Sequence, residues 1–307
     1  MGKILSIASK EIKTAFKDKA FLAVALLFLL LSILSVYIGS ATKNAEITAY
    51  QDIVNLLKSQ GATSIPAEPK IFPLSILKNI INYVAVIGSI VAIFLGFNSF
   101  SEEREEGTIK LLLSRPIYRD QLINGKLFGG AFVIAGLLII TLVFNCFLFT
   151  VVSGMNINFA EFSRLTVFFV FAFYYMISFY LASLFVSLKS QNSTFAFLLM
   201  LIIWMGVSYV IPQLAESQKN YVYVLNNISQ TMNQMPQDTL ISKTIEIFSP
   251  TVQFKNIGRD LLQVVPEHAQ LSLFTLLKLN LRSIIYLLVP GLFMLFGSYN
   301  SFLKEGN

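Results

Sequence analysis

Six stretches of this chain contain no Asp, Glu, Lys or Arg, and they decide what it can fold into: residues 20–42, 79–101, 127–160, 165–188, 190–215 and 283–303. Each runs to roughly 20 residues or more, enough to cross a hydrocarbon core about 30 Å thick as a helix. A charged side chain at the bilayer centre costs several kcal/mol, so freedom from charge over such lengths is the sharpest mark of a span. Composition agrees: 55% of the 307 residues are hydrophobic and 13% are charged, where a soluble domain carries about 25% charge.

The runs are continuously apolar, as in LAVALLFLLLSIL at residues 22–34. A membrane β-strand would alternate apolar and polar residues instead. Only helices and closed barrels satisfy backbone groups in lipid, so each run is read as a helix. The expected fold class is therefore an all-α integral membrane protein with six transmembrane helices. Residues 220–237 (NYVYVLNNISQTMNQMPQ) are also uncharged. Their amides and Pro236 make a poor span, and they are placed outside the bilayer.

The ends of the spans give a layout. In residues 1–19, Ile4, Ile7, Ala8, Ile12, Ala15 and Phe16 recur at three- and four-residue spacing, while Lys3, Lys10, Lys13 and Lys17 take other faces. This is an amphipathic helix suited to the headgroup layer. The spans are expected at about 20–42, 79–101, 127–152, 165–188, 191–213 and 283–303. The first is read as a retained signal-anchor helix. Residues 102–126 connect the second span to the third. Segments 43–78 and 216–282 emerge on the opposite side. The first of these holds a short amphipathic helix ended by Gly61, with Pro66, Pro69 and Pro73 keeping the chain irregular afterwards. The second holds helix-like patches, QDTLISKTIEIF and NIGRDLLQVV.

Six spans put both termini on one side. Twelve of the 23 Lys and Arg fall on that side, at about twice the density of the other. The positive-inside rule then makes the N- and C-termini cytoplasmic, in the cell membrane. The net charge of +6 reads as topology and contact with anionic membrane lipids. No basic patch is interleaved with exposed aromatics, so nucleic acid is not an expected partner.

Catalytic constellations are missing from the sequence. Cys146 and His268 are each the single residue of their kind, which gives no metal site and no disulfide. No HExxH, G-x-S-x-G or Walker A pattern occurs. The fragment NGKLFGG has Gly125-Lys126 but lacks the rest of a phosphate cradle. Asn98, Asn145, Tyr174 and Tyr175 are the notable polar residues of the spans, read as interhelical hydrogen-bond groups or interface anchors. No cofactor is expected on this chain, and any ATP it uses must be hydrolysed by another.

What stands out is the connection SEEREEGTIKLLLSRPIYRDQLINGK, residues 101–126. Glu102, Glu103, Glu105 and Glu106, with Arg104 among them, crowd a segment that the charge rule would make basic. Gly107, Thr108 and the apolar run to Leu113 follow. Ser114, Pro116, Arg119, Gly125 and Lys126 lead into the third span. An acidic element at the membrane rim is suited to docking on a basic groove of a soluble partner; a solvated charged loop would look much the same.

This connection resembles the one between the second and third spans of ABC-2 type transporter permeases. Within that family it is most similar to the branch serving nitrous-oxide reductase maturation, a copper-processing transporter. The N-terminal helix and the six-span layout extend the resemblance to the whole chain, which implies a type V exporter-like permease fold. Ser249-Pro250 and Phe254 resemble a turn of the family's large external segment. The resemblance implies that Glu102–Thr108 form a coupling helix seated in a cytoplasmic ATP-binding subunit, present in two copies. It implies that this partner holds ATP and Mg, that two permease chains form the pathway as a homodimer, and that the N-terminal helix is a connecting helix. An extracytoplasmic partner could bind residues 216–282. The alternative is a membrane scaffold that anchors such a partner without transport.

Overall fold

The computed structural model describes residues 2–60, 72–105, 119–154, 156–190, 192–226 and 231–304. Six of its helices are long and apolar enough to cross a membrane: Lys19–Ser59, Pro73–Phe100, Gln121–Ser153, Phe159–Lys189, Thr194–Ser217 and Leu281–Tyr299, here spans 1 to 6. The chain is thus an all-α membrane protein, with one small hairpin added.

A separate helix, Gly2–Lys17, precedes span 1. The chain turns at Asp18, whose backbone is extended and whose Oδ1 accepts from the Ala20 amide at 2.8 Å. This N-cap satisfies a donor that the first turn of span 1 would otherwise leave bare. Span 1 then runs unbroken for 41 residues, about 60 Å at 1.5 Å per residue and twice the hydrocarbon thickness. The sequence predicts a span and a separate short external helix over this stretch. The two are one helix because residues 41–46 contain neither Gly nor Pro to stop it.

Spans 2, 4 and 6 run parallel and touch closely. The Tyr175 hydroxyl donates to the Ala85 carbonyl at 2.8 Å, and the Ser183 hydroxyl donates to the Ile93 carbonyl at 2.7 Å. On the other flank of span 4, Tyr174 donates to the Leu288 carbonyl at 2.9 Å. Small residues permit this approach, since helices in lipid associate by packing and hydrogen bonds rather than by the hydrophobic effect. A Cβ at Gly96 would lie 2.5 Å from the Tyr180 carbonyl oxygen, and one at Gly291 would lie 2.4 Å from the Ser178 hydroxyl.

Spans 2 and 5 each contain a π turn, at Val84–Gly88 and Gly206–Val210. Pro212 accounts for the second. Its ring would strike the Ser208 carbonyl in a regular helix, and the wider turn relieves that clash.

Residues after span 5 form an antiparallel hairpin, β1 (Asn220–Asn226) and β2 (Thr231–Gln237), with Asn220 opposite Gln237. The sequence predicts an uncharged segment outside the bilayer here, and the Tyr-Val alternation of β1 suits the strand it forms. Lys219 ties the hairpin base together through Glu216 at 2.8 Å and Asp238 and Glu246 at 3.4 Å. Short helices Leu240–Glu246, Pro250–Leu261 and Leu273–Leu279 follow. Ser249 caps the middle one, accepting from the Val252 amide at 3.3 Å, and Pro250 sits in its first turn. That helix folds back among the spans, where the buried Phe254 ring stacks on Tyr175 at 4.6 Å. At the start of span 4, Arg164 donates to the Ala269 carbonyl at 2.8 Å and also to the Leu271 carbonyl. These bonds sew the segment down.

Candidate functional site

Glu102, Glu103, Arg104 and Glu105 lie on the last turn of the helix Ser89–Glu105, which continues beyond span 2. Glu106, Gly107, Thr108, Ser114 and Pro116 lie outside the described residues. Arg119 opens the helix Arg119–Ser153, and Gly125 and Lys126 stand on its second turn. The described part of the site is therefore the pair of helix ends from which the connection springs.

Those two ends are clasped together by a buried cation. Lys126 is 1% exposed. Its ammonium donates to Glu11 Oε1 at 2.8 Å and to the Ser99 carbonyl. It also lies 4.6 Å from the centre of the Phe100 ring, within cation–π range. The Ser99 hydroxyl donates to the other oxygen of Glu11 at 3.3 Å. One residue earlier, the Asn98 amide donates to the Asp18 carboxylate that caps span 1. From span 4, the Tyr180 hydroxyl donates to the Lys126 carbonyl at 2.9 Å. The N-terminal helix and spans 1 to 4 thus meet at one point. Burying an ammonium is costly unless it is paired and further hydrogen-bonded, and here it is both.

Glycine spacing builds the clasp. Gly125 and Gly129 are four residues apart and share a helix face. A Cβ at Gly125 would stand 2.6 Å from Ile7 Cβ, and one at Gly129 would stand 2.6 Å from Glu11 Cβ. The N-terminal helix seats directly on the span 3 backbone along these glycines. Its own small residues, Ala8 and Ala15, are buried, while Leu5 and Phe16 are exposed. The face read from sequence as membrane-facing is therefore divided between span 3 and the surroundings.

Lys126 is marked out by the sequence; Glu11, Asp18, Ser99 and Tyr180 are not. One signal was present: Glu11 is the sole acid in residues 1–17 and sits among the apolar positions of a basic helix. Asn98, Asn145, Tyr174 and Tyr175 all make hydrogen bonds between helices, Asn145 donating to the Ser32 hydroxyl at 2.7 Å.

A second polar cluster joins the π turns to the folded-back helix. Tyr175 contacts the Thr251 hydroxyl at 3.1 Å, and Thr251 contacts the Ser208 hydroxyl at 2.8 Å. The Trp204 indole donates to the Ser89 hydroxyl at 2.8 Å. The Ala85 carbonyl, inside one π turn, accepts from Tyr175, and Ser208 lies inside the other. The irregular turns supply the polar groups through which spans 2, 4 and 5 meet the helix Pro250–Leu261.

Six apolar helices with polar contacts gathered at a loop base and at a folded-back helix define a polytopic membrane protein. The family model described as ABC-2 family transporter protein matches residues 5–306, and the chain belongs to that family. It is 26% identical over 146 residues to the "Probable ABC transporter permease protein NosY" of Stutzerimonas stutzeri, covering 48% of this chain and 44% of that one. It is 27% identical over 135 residues to the protein of the same description from Pseudomonas aeruginosa, covering 44% and 41%. The matched stretches span under half the length of these relatives.

Proposed function

We propose that this chain is the transmembrane permease subunit of an ATP-binding-cassette transporter. It couples ATP hydrolysis in a separate cytoplasmic subunit to export, or to motion transmitted across the membrane. The clasp of Lys126, Glu11 and Ser99 carries this reading. It grips both roots of the 106–118 connection, so a force on that connection is delivered together to the N-terminal helix and to spans 2 and 3. A charge pair held at 2.8 Å with one member buried resists opening, and a linkage that does not open transmits displacement instead of absorbing it. The acidic run Glu102–Glu106 offers complementary charge to a basic groove on the ATPase. ATP and Mg belong to that partner, with two copies serving two permease chains. The termini and the connection then face the cytoplasm, and the hairpin faces outward.

The test is co-purification of the full chain with its ATPase from mild detergent, comparing wild type with Glu106→Lys and Gly107→Pro. Reversing the charge opposes a basic groove, and proline disrupts the docking backbone. Both variants should insert at wild-type yield and lose the ATPase subunit or its stimulated hydrolysis. Wild-type complex yield and turnover in both would overturn the proposal, as would labelling that puts residue 105 on the outer surface.

A further inference from the structure

A cavity of about 510 Å³ opens between spans 3, 4 and 6 at the end of the bundle that carries the 106–118 connection. Its volume falls among ligand pockets, which are mostly apolar with a few placed polar groups. Ala131, Phe173, Ile177 and Phe296 line it, together with Asn124 and Tyr299. The polar pair is not scattered. Asn124 lies near the start of the helix Arg119–Ser153, and Tyr299 lies near the finish of the helix Leu281–Lys304. Both therefore mark the same end of the cavity. Ala131 is seven residues deeper than Asn124, about 10 Å along the helix.

The polarity thus runs along the bilayer normal, with hydrogen-bonding groups at the rim and hydrocarbon walls within. Among the described residues, neither the Asn124 amide nor the Tyr299 hydroxyl has a hydrogen-bond partner. Tyr180 also lines the cavity, but its hydroxyl is already engaged by the Lys126 carbonyl. The depth is somewhat less than one leaflet, half of a hydrocarbon core about 30 Å thick.

We infer that this cavity binds one acyl chain of a membrane phospholipid from the leaflet on the connection side. The chain fills the apolar interior, and its ester carbonyl accepts hydrogen bonds from Asn124 and Tyr299. The site adjoins the Lys126 clasp through Tyr180, so an occupied cavity buttresses the base of the connection. The inference rests on the spans alone and does not depend on the transport reading.

The test uses the full chain in nanodiscs containing a phospholipid with a photoactivatable diazirine on one acyl chain. Adducts are mapped by mass spectrometry after irradiation. They should concentrate on residues 124–131, 173–181 and 295–299, at least about fivefold above residues 139–147 of span 3, where Ile139, Val143 and Phe147 are exposed outside the cavity. Ala131→Trp fills the cavity and should bring labelling there down to the surrounding level. Asn124→Leu combined with Tyr299→Phe should lower the enrichment while leaving labelling of residues 139–147 unchanged. Uniform labelling of all lipid-facing helices would overturn the inference. So would undiminished enrichment in a folded Ala131→Trp variant, or labelling by a diazirine fatty acid but not by the phospholipid. Should Ala131→Trp fail to fold, Ile177→Phe fills the cavity from the opposite wall and is judged by the same criteria.

Discussion

The losses from removing Lys126 and from removing Glu11, the two partners of one buried pair, should be far from additive. Lys126 is 1% exposed and Glu11 is 15% exposed, with 2.8 Å between their charged atoms. Breaking a buried pair from one side costs about 3–5 kcal/mol, because the remaining charge is stranded. Lys126→Ala strands Glu11, which keeps some access to water, so the expected cost is near the lower end, about 3 kcal/mol. Glu11→Ala strands the more deeply buried ammonium and should cost more, about 4–5 kcal/mol. The double variant leaves no orphan charge, so the two losses should fall short of additivity by about 2 kcal/mol. Thermal unfolding in mild detergent can follow Cys146, the chain's single cysteine, which lies partly buried against the core and reacts with a thiol dye as the bundle opens. A loss of 3 kcal/mol corresponds to a fall in Tm of about 5 °C in a chain this size. Additivity within about 0.5 kcal/mol would refute the coupling, and a milder effect of Glu11→Ala than of Lys126→Ala would refute the burial argument.

Two further outcomes follow from local geometry. At Gly39 an added Cβ would lie 1.8 Å from the Ile76 carbonyl oxygen, a backbone atom, so Gly39→Ala should push span 1 off the opening turn of span 2 at about 3 kcal/mol. Size-exclusion yield after extraction should fall, while Gly136→Ala, where no atom lies within 4 Å, should leave it unchanged. At the hairpin base, burial pulls the Lys219 pKa down, but the Glu216 hydrogen bond and the nearby charges of Glu246 and Asp238 outweigh it and hold the value above that of a free lysine. A folded-state pKa raised in this way stabilises fully below the unfolded lysine value, about 10.4, and is lost as pH climbs through the folded one. Proteolysis of residues 220–237 should therefore be flat from pH 7 to about 10 and rise only above it, whereas Lys219→Ala should expose the hairpin already at neutral pH.

The six spans were legible because charge-free length is a property of consecutive residues, and a bilayer leaves helices little alternative. The hairpin was not, since NYVYVLN and TMNQMPQ declare themselves strands only when paired. Of the candidate site, Lys126 and Gly125 could be named from their positions after an acidic connection. Their partners could not be. Glu11 stands 115 residues from Lys126 and Tyr180 stands 54 residues away, and no local pattern says which acid will face which cation across a helix interface.

The chain's linear order thus settled its solvent, its helices and its class, because transfer into lipid depends on the summed character of each segment. The tertiary structure alone decided which polar groups meet. Close approach at Gly125, Gly129 and Gly96, the π turns that present Ala85 and Ser208, and the return of Phe254 onto Tyr175 all depend on how helices distant in sequence come to lie side by side. Hydrogen bonds and charge pairs act over a few ångströms, so their partners are fixed only once that packing exists.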